Sequence, residues 1–144
     1  MNIRNANYKD APAIKLLLET SGHTPTISLL VDQLELLFGQ NDHQVFVYEL
    51  KKEVVAFVST HYLPQLAYDG GLMVITNMSV DETVKSMGVA KELEEYITGQ
   101  ARMKKCNRIQ FHYLDRWGPT HQFYLQQGYQ EYPKYFTKML NDAE

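Results

Sequence analysis

Two sets of groups in this chain could do chemistry. One is the backbone of a glycine turn, Lys85-Ser86-Met87-Gly88-Val89-Ala90, and the other is a scatter of imidazoles and phenols able to carry protons. A strand-like segment runs into the turn and a helical pattern leaves it, so the N–H groups of Met87, Gly88, Val89 and Ala90 would sit at the positive end of a helix dipole. That arrangement binds anions, phosphates above all. The same spacing also serves a plain strand-to-helix handover, where glycine supplies the freedom to adopt φ > 0.

Among the proton carriers, His61 stands beside Tyr62 and His112 beside Tyr113, each pair in a segment that alternates like a strand. An imidazole, with its ordinary pKa of ~6.5, can take a proton near neutrality, although a strand histidine is also commonly a surface or satisfied residue. His23, His43 and His121 lack the i, i+4 or paired spacing that puts two imidazoles on one ion, so no metal is expected. Asp69, in Ala67-Tyr68-Asp69-Gly70-Gly71, could steer a cation or be a solvated turn aspartate. Tyr124 could hold a proton or pack its ring on a sheet.

The elements that must position these residues follow from periodicity. "MNIRNA" reads as a short edge strand, and Asn7 with Asp10 marks the entry to a helix over "DAPAIKLLLETSG". A second helix spans "TPTISLLVDQLELLFGQ", from a Thr26 cap to a Gly39 stop, with Ile27, Leu30, Val31, Leu34, Leu37 and Phe38 on one stripe. "HQVFVYEL" and "EVVAFVSTHYL" form a hairpin through Lys51-Lys52, and "GLMVITNMSV" is a third strand-length run. From Val89 to Met103 a helix turns Val89, Leu93, Ile97 and Ala101 inward and Lys91, Glu92, Glu94 and Glu95 mostly outward. "NRIQFHYL" is a strand, "GPTHQFYLQQG" a short helix, and "YQEYPKYFTKML" a final strand. The order describes an α+β fold with one sheet, two of whose central strands are joined by a helical crossover.

At 144 residues, 44 % apolar and 22 % charged, the chain can bury a core as a single domain over 1–144. The lone Cys106 excludes a disulfide framework and a thiolate metal cluster, and favours a reducing, cytoplasmic setting. The N-terminus has no signal-peptide core, and no apolar run approaches the ~18 residues a membrane helix needs. A net charge of -3, with basic residues no denser than Lys104-Lys105, gives no nucleic-acid footprint and suits a cationic or amine substrate.

The run "ITNMSVDETVKSMGVA" resembles the strand and pyrophosphate loop of the GNAT superfamily of acyl-CoA-dependent N-acetyltransferases, whose loop reads Arg/Gln-x-x-Gly-x-Gly/Ala. "THQFYLQQGY" is similar to the family's second signature, Phe-Tyr, three residues, then Gly-Phe/Tyr, here Phe123, Tyr124, Gly128 and Tyr129. The resemblance implies a mixed, mostly antiparallel sheet with splayed parallel central strands flanked by helices, and acetyl-CoA as co-substrate. It implies that Met78, Ser79 and Val80 pair with the pantetheine arm, a Met78 N–H polarising the thioester carbonyl. It further implies that Lys85, Ser86, Met87, Gly88, Val89 and Ala90 hold the pyrophosphate, and that Tyr124 serves the leaving thiolate.

The sequence departs from the family pattern at four places. Lys85 stands for the usual Arg or Gln, Met87 for a second basic residue, and Trp117 for an Asn that contacts the CoA arm. Thr76 stands where relatives place a glutamate base. His112, on the strand after the crossover helix, is preferred as its replacement, with His61 the other choice. Resemblance places the acceptor wall around His23, and His61, Tyr62, Asp69 and Thr76 complete the acceptor-side candidates. The implied reaction moves an acetyl group from acetyl-CoA to a primary amine, of a small molecule or a protein, by direct attack. The alternative is a non-catalytic acyl-CoA sensor that kept the fold and lost the base. Tyr129, Tyr132, Tyr135 and Phe136 offer an aromatic face for a homodimer.

Overall fold

The computed structural model describes residues 2–112, 119–131 and 136–140, which fall into two compact units, Met1–Tyr113 and Leu114–Glu144. The first unit holds a five-stranded sheet in the order β1 (Ile3–Asn5), β2 (His43–Leu50), β3 (Glu53–Leu63), β4 (Gly71–Val80) and β5 (Cys106–Phe111). Neighbours from β1 to β4 are antiparallel, and β4 and β5 are parallel. A parallel pair needs a long crossover, and α3 (Val89–Met103) supplies it.

The β2–β3 hairpin turns at Lys51 and Lys52, whose φ values of 50° and 67° give the left-handed pair that matches strand twist. Along β2, Val45 and Val47 face α1 (Ala11–Thr20) and α2 (Ile27–Phe38), packing with Phe57 against Ile14, Leu17, Leu30 and Leu34. Phe46 and Tyr48 face α3 instead: the Phe46 and Tyr96 rings meet edge to face at 5.1 Å, and the Tyr48 hydroxyl donates to Glu92 Oε2 at 2.7 Å. Covering on both sides explains why β2 reads as an almost unbroken apolar run.

The helix signals land where the side chains require. Thr26 Oγ1 accepts from the Leu29 N–H at 3.0 Å and begins α2, which Gly39 ends. Leu30 and Leu34 are buried, while Ile27 and Phe38 at the two ends of the stripe are over a third exposed. Asn7 and Asp10 form a reciprocal capping box over a 3₁₀ turn, Tyr8–Asp10, from which α1 begins at Ala11. Arg4 of β1 grips Asp10 with both terminal nitrogens, at 2.8 and 2.9 Å, and so ties the first strand to the first helix.

Two expectations are corrected. Glu94 points inward rather than outward and is buried, accepting a hydrogen bond from Thr98 Oγ1 at 2.9 Å. The final strand expected over residues 129–140 is not present in its described parts, 129–131 and 136–140; residues 132–135, with Tyr132 and Tyr135, lie outside the described residues. Phe136 and Leu140 are fully or largely exposed.

Candidate active site

β4 carries the site because its two edges end at different places. Its ladder with β3 runs from Leu72 to Val80, whereas the parallel ladder with β5 stops at Ile75↔Phe111. Just beyond that point Thr76 is a bulge residue: Ser59 pairs with Asn77 and Thr60 with Ile75, leaving Thr76 as the extra one. Bulges re-aim side chains and break pairing, and this one does both where the two parallel strands part.

The segment after β4 is a 3₁₀ helix, Glu82–Met87, in place of the plain turn expected from sequence, with Asp81 Oδ1 accepting from the Thr83 N–H. It gives way at Gly88, which has φ 80° and ψ 13° and caps both the end of that turn and the start of α3. A side chain at that φ would be strained, although a Cβ would point into open space. Gly88 brings no side-chain acceptor, so the first-turn N–H groups of the 15-residue α3 have no cap from their own N-terminal residue. Val89 is buried and fixes the helix start, while Ser86, Met87 and Gly88 are exposed beside it. An open, pre-oriented set of donors with no Cβ in front of it fits a pyrophosphate. Lys85 Nζ lies 2.8 Å from Glu82 Oε1, an exposed pair held weakly enough to exchange partners.

Next to this loop is an open cavity of about 460 Å³ lined by Leu16, Leu17, Glu19, Thr20, Asp81 and Glu82. Its lining combines two leucines with three carboxylates, a composition suited to an ammonium-bearing molecule. A hydroxyl contact, Ser21 Oγ to Ser79 Oγ at 3.0 Å, fastens the end of α1 to β4 on the same side.

The imidazoles are arranged by register. His43 of β2 lies opposite His61 of β3, and their Nδ1 atoms face each other in a short hydrogen bond. The other ring nitrogen of His61, Nε2, is 2.9 Å from Thr76 Oγ1. Burial, and secondarily the neighbouring His43, hold His61 below the usual imidazole range. His112 sits just past β5, exposed, its N–H reaching the Ile75 carbonyl at 3.4 Å.

The sequence offers His61 and Thr76 as separate candidates, without their contact, and His43 only as a rejected metal ligand. The other acceptor-side candidates are dispersed. Tyr62 stacks over Gly71 with Lys104 Nζ 5.6 Å from its ring, away from His61. Asp69 belongs to a loop pinned by Asn107 Nδ2 to its carbonyl at 2.8 Å, toward the start of β4 rather than its open end. His23 is exposed in the connection after α1. Trp117 lies outside the described residues.

In the second unit α4 (Pro119–Gln126) carries Phe123 and Tyr124. Its end is a Schellman turn: the Gly128 N–H bonds to the Leu125 carbonyl, and the Tyr129 N–H to the Tyr124 carbonyl at 3.0 Å, with Gly128 at φ 94°. The Tyr124 and Tyr129 rings meet at 5.0 Å and 88°, the apolar contact that accompanies such turns. Thus the spacing Tyr124, Gly128, Tyr129 is a device for stopping the helix and holding the Tyr124 ring, which is buried.

A sheet opened beside a bulge and followed by a helix that starts on a left-handed glycine is the architecture of one acyltransferase class. The chain belongs to the acetyltransferase (GNAT) family, whose model matches residues 12–129. Solved structures agree on the fold. Glucosamine-6-phosphate N-acetyltransferase from Arabidopsis thaliana is 17% identical with a TM-score of 0.82, covering 96% of this chain and 97% of that one. An aminoglycoside acetyltransferase from an uncultured soil metagenomic sample is 21% identical with a TM-score of 0.78, covering 96% and 95%. A transcriptional regulator from Bacillus halodurans C-125 is 16% identical with a TM-score of 0.82, covering 96% and 97%. No curated protein sequence matches the chain significantly. Among the described residues no helix is long and apolar enough to cross a membrane, and no three His, Cys, Asp or Glu side chains gather as metal ligands.

Proposed function

We propose that this protein is a cytoplasmic N-acetyltransferase that moves the acetyl group of acetyl-CoA to a primary amine by direct attack. The observation that carries the reading is the Gly88 junction, where an uncapped helix start follows directly on the strand that parts from its neighbour. Acetyl-CoA supplies an acetyl group activated as a thioester. Residues Lys85 to Ala90 hold its pyrophosphate, and Met78, Ser79 and Val80 offer strand backbone to its pantetheine arm. A preorganised Met78 N–H stabilises negative charge on the acyl oxygen at no reorganisation cost. Tyr124 gives a proton or a hydrogen bond to the departing thiolate. Glu19, Asp81 and Glu82 in the cavity lining favour a cationic acceptor, and two of the fold relatives are named glucosamine-6-phosphate N-acetyltransferase and aminoglycoside acetyltransferase.

The test combines calorimetric titration with acetyl-CoA and free-thiol release across a panel of primary amines. Binding with thiol release on at least one amine is expected; binding with none would assign a sensor instead, and no binding would remove the acyl-CoA reading altogether. Tyr124→Phe should lower kcat by about 100-fold, within the usual range for a lost general acid, and leave acetyl-CoA affinity unchanged. Unchanged turnover would take Tyr124 out of the reaction.

A further inference from the structure

We infer that Thr76, His61 and His43 form a proton relay that takes the place of a carboxylate base and makes the protein competent for alkylamines that arrive as ammonium ions. The inference rests on the acetyl-transfer reading and adds to it the route by which the acceptor loses its proton. A primary alkylammonium has a pKa of ~10.4, so its lone pair must be freed before it can attack a thioester. Thr76 cannot accept that proton alone, but its Oγ1 is bonded to an imidazole that has a second imidazole behind it.

The row is built by three strands. His43 and His61 are cross-strand partners, and the β4 bulge brings Thr76 onto His61 Nε2. In the starting tautomer His61 carries its proton on Nδ1, donating to His43 Nδ1, and Thr76 Oγ1 donates to the bare Nε2. A proton leaves the ammonium for Thr76 Oγ1 as the hydroxyl proton moves to His61 Nε2; the Nδ1 proton of His61 moves to His43. His43 becomes the imidazolium, His61 stays neutral with its tautomer exchanged, and His43, half exposed, gives its Nε2 proton to water. The amine nitrogen then forms the C–N bond, the C–S bond breaks, and the second nitrogen proton goes to the thiolate side. Every proton is accounted for without a co-reactant.

The groups that bear on this row are few. Besides His43 from β2 and Thr76 from β4, Asp42 precedes His43 in the turn, its carbonyl accepting from the Tyr62 N–H, and His112 follows β5, its N–H reaching the Ile75 carbonyl. Burial holds His61 below the usual imidazole range and so favours its neutral form, the one with a bare ring nitrogen. Thr76 would touch substrate, while His61 and His43 act through it.

The experiment measures pH profiles of kcat/KM for the intact protein with an alkylamine and with an arylamine, which is already unprotonated near neutrality. It is paired with ¹⁵N NMR titration of the histidine rings in the free protein. His61→Gln and Thr76→Val should lower the alkylamine rate about 100-fold and the arylamine rate less than about threefold. Thr76→Ser should restore the alkylamine rate, and His43→Asn should move the lower inflection of the profile upward. By NMR, His43→Asn should raise the His61 midpoint by removing a like charge. A His61 midpoint unmoved in His43→Asn, or equal losses on both amines, would overturn the relay alone. A wild-type protein that releases thiol on no amine would overturn the acetyl-transfer reading and the relay with it.

Discussion

Three effects compete at Asp10. Burial pushes its carboxyl up; the Arg4 fork and the Asn7 N–H at 2.8 Å pull it down, and together they win, leaving the folded value below the usual carboxylate range. A carboxyl depressed on folding stabilises above its unfolded pKa of ~3.9, and that contribution is lost as the pH falls through the lower, folded value. Asp10→Asn should therefore cost about 1–3 kcal/mol at pH 7, and the difference from wild type should shrink as the pH drops below about 4. Urea midpoints at both ends of that range check it; a pH-independent gap would mean Arg4 holds β1 without charge. Glu94 teaches a related lesson. Its place on the helical wheel said solvent, but Thr98 one turn on supplies a donor, and a carboxylate with a partner can be turned inward. Pairing of that kind is written in geometry, so a pattern of types cannot show it.

Elements were far more legible. The stripe Val89, Leu93, Ile97, Ala101 predicts α3 with its observed boundaries, and all four residues are buried, because a 3.6-residue period has few other ways to hide its apolar groups. The two glycines that frame the signatures do different jobs. Gly88 opens α3 with φ 80°, and Gly128 closes α4 with φ 94°. Gly88→Ala should cost roughly 1–2 kcal/mol for the left-handed backbone and also weaken acetyl-CoA binding, since its Cβ would stand in the open space before the donors. Gly128→Ala should cost a similar amount, about 1 kcal/mol or more, and lower turnover through loss of the Tyr124 ring position, with acetyl-CoA affinity kept. Thermal unfolding read beside calorimetry separates the two: only the first should show a binding defect. Over the described residues 129–131 and 136–140 no strand forms, since alternating residue types are a propensity that tertiary packing decides.

For the molecule as a whole, ligand binding and folding are linked. If the loop and β4 hold acetyl-CoA in the folded state alone, a hundredfold excess over Kd stabilises by about 2.7 kcal/mol. That corresponds to a rise in Tm of roughly 5–10 °C for a chain of this size. Differential scanning fluorimetry should show that rise in wild type and much less in Gly88→Ala; equal shifts would place the ligand elsewhere. The arrangement least visible in the sequence is also set at this scale. Continuing the register of the turn, Leu50↔Glu53 and Glu49↔Val54, would put His43 opposite Thr60; only the slip at Tyr48 brings it opposite His61. The second slip, at Thr76, completes the row.

Those two slips make the row a matter of reading frame. Loss or gain of one codon in β3 between Ala56 and His61 would part the imidazoles and turn His61 to the other face, while the glycine loop and the Tyr124 signature stayed letter for letter the same. Lineages of this fold could thus gain or shed a proton path by a single indel that a motif comparison would pass over.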